Sequence, residues 1–599
     1  MNLSKSEFAV LSLLATASEP LSQRRQAKYA HLSLGTVSNM RRNLTESGLL
    51  GPDGKVTPAG YQALEPYKVD NAVILAAGLS SRFAPISYEK PKGLLQVRGE
   101  ILIDRQIEQL RAAGIEQIAV VVGYKAEYFF YLEQKYGVTL IFNPDYAARE
   151  NHASLLAAKE LLGNTYICSS DNYFTENPFS KYAYKAYYAA QYREGPTDEY
   201  CMMTGTGGRI VKVTRGGEDD WAMLGHAYFD RAFSKHIVEV IEAEYDDPIS
   251  KSKLWEDFYV DHIKEFDMVM KPYGSGVISE FDRLDELCDF DPLFIVNVDS
   301  DAIQNIEKTL GCTREEIHDF YPLKQGLTNL SCHFATNSGE YVYRCPGVGT
   351  EELIDRRAEM MAQQTAHGLG LDDTYIFEDP DQGWKISQFI PNCNNLNAHD
   401  PAQLKEAMEM ARRLHEAKVD FDRPFDFYDE GCRYRKLIEE RGRVDIPGFY
   451  ELCDQAEKVK RFALADNAPA CLNHNDFFEL NFLVDQGGKL YLIDWEYAGT
   501  GDYANDYGTF TVCSHLSPEE AEQALTYYYG RTPTFEERRH NQAFVGLAGW
   551  CWYLWSVYKE QQGAFVGDWM HTYHTYAVSY LDKAQRAYEE GEKSDVEKR

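Results

Sequence analysis

The stretch LAAGLSSRFAPISYEKPKGLLQVRG, residues 75–99, decides how the first half of the chain folds and what it can hold. It begins inside an apolar run, NAVILAAG at 71–78, which reads as a buried strand. Ala76, Ala77 and Gly78 then open a loop of small residues, and small residues let backbone N–H groups approach phosphate oxygens. Arg82 and Lys92 follow in the same loop. Two cations there can neutralise a triphosphate and stabilise charge on a phosphorus under attack, so both are expected to be catalytic.

Outward from this loop, strands alternate with helices. Residues 102–114 read as a helix closed by Gly114, 115–123 as a strand, 125–137 as a helix and 138–143 as a strand. The run NTYICSSDNYF, 164–174, is a strand ending in acid at Asp171. This alternation predicts a Rossmann-like, mostly parallel sheet with helices on both faces over residues 67–292. Ligands of such sheets bind at the carboxyl ends of the strands.

The whole chain has 599 residues, too many for one core. Its formal net charge of −32 repels nucleic acid and anionic membrane over most of the surface. A nucleotide must therefore be met by local cations, backbone N–H groups and metal ions. Twelve cysteines are scattered singly, which fits reduced thiols in a cytoplasmic protein. The start MNLSKSEFAV has no signal-peptide pattern, and no run approaches a membrane span.

Residues 1–66 differ from the rest. Two amphipathic helices, a third at SLGTVSNMRRNLTESGLL and a turn at GPDGKVTPAG form a winged helix-turn-helix pattern that resembles the MarR-like family. That resemblance implies a third helix entering the major groove, with Thr36, Ser38, Asn39, Arg41 and Arg42 on or near it. Residues 1–65 hold seven Lys/Arg against five Asp/Glu, so the charge permits DNA binding without demanding it.

The combination LAAG-x-x-x-R-x-x-P…P-K resembles the sugar-phosphate and choline-phosphate nucleotidyltransferases, across roughly residues 70–290. The resemblance implies CTP as substrate. It places Asn151 and Ser154, in FNPDYAARENHASLL, near the pyrimidine, and gives Asp171, Glu280 and Asp282 to Mg²⁺. Around the substrate's ammonium group it places Tyr200, Trp255 and Asp257. Aromatic faces plus one carboxylate suit a trimethylammonium, which donates no N–H. The aromatic identities are swapped relative to the family pattern, so a primary amine stays open beside choline.

In the third segment, residues 293–590, CLNHNDFFELNFLV at 471–484 supplies His474, Asp476 and Asn481, and LYLIDWEYAG supplies Asp494. Asp476 can accept the proton of an attacking hydroxyl, while Asn481 and Asp494 can hold Mg²⁺ against ATP phosphates. HND and DWE in place of HRD and DFG resemble the choline/ethanolamine kinase and aminoglycoside phosphotransferase group, which implies a two-lobe kinase-like fold. The turn LKQGLTNLSCHF at 323–334 would cover the phosphates, Arg344 would stand for the strand lysine with Glu359 as its partner, and Gln388 to Ile390 would face adenine. In GWCWYLWSVY, 549–558, Trp552 and Trp555 share a helix face. With Tyr576 they are expected to wall a cationic head, while Trp550 packs in the core. Residues 591–599 form a polar tail.

Together the resemblances imply a bifunctional enzyme making CDP-choline from choline, ATP and CTP through phosphocholine, as in bacterial surface decoration. Two alternatives remain: the same chemistry on ethanolamine or another amino alcohol or phosphonate, and a DNA-binding regulator whose enzyme-like domains sense ligands. Sequence leaves the oligomeric state open.

Overall fold

In a computed structural model the protein divides into two compact units, Met1–Pro322 and Leu323–Arg599. The structure describes residues 3–323, 329–347, 354–562 and 565–597. Of the phosphate-covering turn expected at 323–334, residues 324–328 lie outside the described residues.

The first unit is built on a seven-stranded sheet in the order 269–273, 187–204, 210–229, 165–169, 71–76, 118–122, 139–142. Strand Asn71–Ala76 lies between two parallel neighbours, with Ile74 opposite Val120 and Cys168. Both its faces are covered, which is why it reads as a continuous apolar run. The alternation predicted from sequence holds here. Helix Leu102–Ala112 ends before Gly114, whose φ of 83° only glycine adopts freely. Strand Ile210–Phe229 departs from the parallel pattern, running antiparallel to both neighbours. It is half of a long hairpin with Tyr187–Thr204, which the sequence reading did not foresee.

Ahead of the sheet, helices Lys5–Thr16, Gln23–Tyr29 and Leu34–Glu46 start on side-chain caps at Ser4, Ser22 and Ser33. A single antiparallel bridge, Leu50 to Val56, stands where a wing was expected. Phe8, Tyr67 and Tyr184 pack ring against ring, with centroids 5.1–5.5 Å apart, and fix these helices to the residues flanking the sheet.

Residues 293–318 are expected with the kinase from the sequence. They belong instead to the first unit, because helix Asp301–Leu310 begins on the carboxylate of Glu89.

In the second unit, antiparallel strands Asn329–Thr336, Gly339–Pro346, Lys385–Gln388 and Tyr375–Glu378 lie side by side in that order, with helix Arg356–Gly368 among them in sequence. The rest is mostly helical, with short strands at Ala470–Asn473, Phe482–Val484, Leu490–Leu492 and Gly499–Asp502. The 27-residue helix Phe535–Gln561 carries GWCWYLWSVY through its core. Helix Asp568–Glu597 runs on through most of the expected polar tail. Among the described residues no helix is long and apolar enough to cross a membrane, and all twelve cysteines are free.

Candidate active sites

At the carboxyl end of strand Asn71–Ala76 the chain leaves a cavity of ≈ 670 Å³. It is lined by Ala76, Ala77, Gly78, Arg82, Lys92, Asn151, Ser154 and Asp171, so the sequence-predicted nucleotide residues are brought together. Lys92 is 8% exposed, and its ammonium lies 2.7 Å from Asp171 Oδ2 and 4.4 Å from the Phe83 ring centre. Arg82 pairs with Asp282 at 3.1 Å. Glu280 sits on a short strand opposite Asn172, which places it beside Asp171. Burial and the charges of Asp171, Glu199 and Asp282 raise the Glu280 carboxyl well above its ordinary range. Like charges gathered this closely suit a cation.

Asn151 is less free than expected. Its Oδ1 accepts from Trp255 N at 2.7 Å and its Nδ2 donates to Glu256 Oε2 at 3.1 Å, tying helix Asn151–Ala157 to helix Trp255–Asp261. Ser154 Oγ accepts from Asn143 at 3.0 Å. Lys251 and Ser252 line the opposite side of the cavity and were not singled out from sequence.

The expected ammonium site is corrected in one respect. Trp255 is 2% exposed and stacks on Tyr188 at 5.7 Å with the Phe229 ring at its edge, so it is a core residue rather than an open wall. Tyr200 and Asp257 do meet, hydroxyl to carboxylate at 2.6 Å. Two further acids were not singled out from sequence, and one of them, Glu256, acts on Tyr200. Burial and the Asp282 charge push Glu199 up to about 7. Burial pushes Glu256 up to about 7 as well, against hydrogen bonds from Asn151 and Tyr188. Each lies one residue from a position already singled out, Tyr200 or Trp255, so the signal was adjacent.

In the second unit Asp476 and Asn481 meet at a turn after strand Ala470–Asn473, where Asn481 Nδ2 donates to Asp476 Oδ2 at 2.8 Å. Burial and the nearby charge of Asp494 push Asp476 up to about 7. The turn is held by Asp506, which accepts from the backbone N–H groups of His474 and Asn475 at 3.0 and 2.7 Å. Its other partner is His415, at 3.0 Å. Asp506 was not singled out from sequence, since nothing local marks it. Asn475 adopts a φ of 65°, a conformation asparagine tolerates better than most side chains.

Arg344 Nη2 stands 2.6 Å from Glu359 Oε1, the ion pair expected between strand and helix. Its Nη1 is 3.7 Å from Asp494. Burial alone would raise the Glu359 carboxyl, but Arg344, Lys385 and Arg356 outweigh it and hold it well below the usual range. Arg356 also bonds Asn329, which in turn donates to Glu496 of the DWE motif at 3.0 Å. At the expected hinge, Gln388 N–H is already bonded to Thr374 O at 2.7 Å, and Phe389 N–H to Glu340 O at 2.9 Å. Gln388 therefore does not offer its N–H to adenine. Ile390 lies just beyond the strand end.

Trp552 and Trp555 are half-buried and perpendicular, with centres 6.0 Å apart. Trp552 Nε1 donates to Thr509 Oγ1 at 3.1 Å, and Tyr497 meets its ring at 6.4 Å. Tyr497 thus extends the aromatic group of Trp552 and Trp555, and the sequence did not mark it. Tyr576 stacks on Tyr580 and donates to Leu516 O, and among the described residues no ring pair joins it to either indole. Trp550 is 1% exposed and stacks on Tyr428, a core residue as expected. A Cβ at Gly431 would lie 2.2 Å from the Trp550 ring, so glycine is required there.

Among the described residues no group of three or more His, Cys, Asp or Glu side chains forms a ready-made metal site.

Two family models match the chain: the MobA-like NTP transferase domain over residues 72–193 and the phosphotransferase enzyme family over 319–540. The 2-aminoethylphosphonate cytidylyltransferase of Lancefieldella rimae is 35% identical over 225 residues, 37% of this chain and 92% of that protein. The choline-phosphate cytidylyltransferase of Streptococcus pneumoniae is 34% identical over 215 residues, 36% of this chain and 94% of that protein. Protein LicA of Haemophilus influenzae is 27% identical over 278 residues, 44% of this chain and 99% of that protein.

Proposed function

The chain belongs to the cytidylyltransferase family and carries a phosphotransferase in the same polypeptide, and on that premise we propose that it makes CDP-choline from choline in two steps. In the second unit the choline hydroxyl attacks the γ-phosphorus of ATP, the bond from that phosphorus to the β-phosphate oxygen breaks, and ADP leaves. Asp476 takes up the hydroxyl proton, and Arg344, held by Glu359, faces the phosphates. In the first unit an oxygen of phosphocholine attacks the α-phosphorus of CTP, the bond to the β-phosphate oxygen breaks, and pyrophosphate leaves. Lys92 and Arg82 stabilise the charge that develops there. The observation that carries the reading is the presence of two phosphoryl-handling sets, Lys92 with Asp171 and Asp476 with Asn481, in separate units of one chain. Phosphocholine is the product of one step and the substrate of the other.

The crowded acids fit Mg²⁺: Asp171, Glu280 and Asp282 would hold it in the first unit, Asn481 and Asp494 in the second. Bound there, the ion would offset the negative charge of the phosphates. The test of the whole reading is incubation with ATP, CTP, Mg²⁺ and choline, following products by mass. CDP-choline supports it; no phosphocholine and no CDP-choline overturns it.

A second reading changes the head group. Glu256 and Asp257 gather near Tyr200 while Trp255 is buried, and acids with hydrogen-bonding capacity suit a primary ammonium. A relative acts on 2-aminoethylphosphonate. Parallel turnover of phosphocholine, phosphoethanolamine and 2-aminoethylphosphonate by the first unit separates the two readings.

Residues 1–66 we read as a winged helix with DNA as partner. Helix Leu34–Glu46 presents Ser38, Asn39 and Arg42 to solvent, while Arg41 turns inward to Gln26 at 3.2 Å. Specific duplex binding that weakens steeply with salt supports this, and no binding at low salt discards it.

A further inference from the structure

Three ties join the loop that carries Arg82 and Lys92 to a later segment of the same unit. Glu89, three residues before Lys92, accepts from Ala302 N at 2.6 Å and from Asp301 N at 3.2 Å. Those N–H groups open helix Asp301–Leu310, whose third free donor is met by its own cap, Ser300. A carboxylate there also meets the positive end of the helix dipole. Arg98, beyond the loop, donates its backbone N–H to Asp291 at 2.7 Å and its guanidinium to Phe290 O at 2.8 Å, with the guanidinium 3.6 Å over the Phe290 ring centre. Strand His318–Pro322 packs against Ser81–Phe83, the turn that contains Arg82. The segment braces itself as well: Arg314 donates to Val296 O and Val298 O and pairs with Glu307 at 2.7 Å.

Residues 77–95 contain no strand of the main sheet, so nothing in that sheet's ladder fixes their shape. Lys92 nevertheless has to hold its ammonium to within about 1 Å, since misplacement on that scale costs a reaction on the order of 10²-fold. We propose that residues 284–322 form a strap that holds this loop in its reactive shape, and that Glu89 is the positioning residue that aims Lys92. The proposal rests on reading the first unit as the cytidylyl-transferring enzyme. It assigns to that enzyme a segment that lies between the two family matches or at the very start of the second, at residue 319.

The test uses the full chain and keeps the phosphorylation of choline as an internal control. Glu89→Ala is expected to lower kcat for cytidylyl transfer by about 10- to 100-fold with less than about threefold change in the KM for CTP. ATP-dependent phosphorylation and the melting temperature should not change. Glu89→Gln keeps one acceptor for the helix and should recover to within about fivefold of the parent. Transfer by Glu89→Ala within about twofold of the parent overturns the proposal, as does a rise in KM alone. Should Glu89→Ala melt early, the double variant Arg98→Ala/Asp291→Ala, which removes both the guanidinium contacts and the acceptor of the backbone N–H, is read in its place, and an unchanged kcat there overturns the strap. Absence of CTP-dependent turnover in the parent chain would instead overturn the transferase reading itself.

Discussion

Lys92 Nζ lies 2.7 Å from Asp171 Oδ2, so the cation expected to meet the triphosphate is paired with an acid expected to hold metal. Lys92→Ala should therefore lower cytidylyl transfer by at least about 10²-fold, the usual loss when one charge-stabilising donor is removed. Choline phosphorylation by the same protein should persist. Separate assays with supplied phosphocholine and CTP, and with choline and ATP, read the two outcomes.

The reciprocal variant is Asp476→Asn. Asp476 is half-buried beside Asn481 at 2.8 Å and can take a proton only as a carboxylate. Phosphorylation of choline should fall about 10²- to 10⁴-fold, while conversion of supplied phosphocholine stays at the parent level. Loss of both activities in a folded protein would contradict two independent sites.

Trp555 and Trp550 should respond differently to truncation. Trp555→Ala removes a half-buried wall and should raise the KM for choline about 5- to 30-fold, the worth of one partly desolvated cation–π contact. Trp550→Ala removes a core indole stacked on Tyr428 and should cost about 3–5 kcal/mol in urea unfolding with little change in KM. An unchanged KM in Trp555→Ala would return both indoles to packing.

His540 predicts a stability change on the alkaline side. Burial disfavours its charged form, but Asp466 and Asp502, each 3.0 Å away, outweigh burial and lift it from 6.5 to about 9. The folded side chain thus holds its proton more tightly than the unfolded one. The contribution, roughly 2–3 kcal/mol, is complete below about pH 6.5 and is lost as pH rises through about 9. Thermal melts from pH 6 to 10 should show this fall in the parent and a flatter profile in His540→Gln.

What was legible in the sequence was chemistry carried by short spacings. The loop with Arg82 and Lys92, the Asp476–Asn481 turn and the Arg344–Glu359 pair each depend on local pattern, and the structure brings each together. Placement of single side chains across a tertiary contact was not legible. Trp255 was expected as a wall from the family resemblance, yet the stack on Tyr188 that buries it crosses from another element. Glu199 and Glu256 owe their raised carboxyls to burial, which no spacing encodes. The boundary near residue 292 failed for a similar reason, because the helix at 301–310 is capped from more than 200 positions away.

The aromatic trio of Phe8, Tyr67 and Tyr184 has a practical meaning for dissection of the protein. Tyr67 comes only four residues before the first strand of the sheet, and Tyr184 three residues before the long hairpin. No slack separates the leading helices from the catalytic body, so a protease should find no cutting site at 65–70. A fragment engineered to begin at residue 67 would carry two wet aromatic rings and should aggregate more readily than the whole chain.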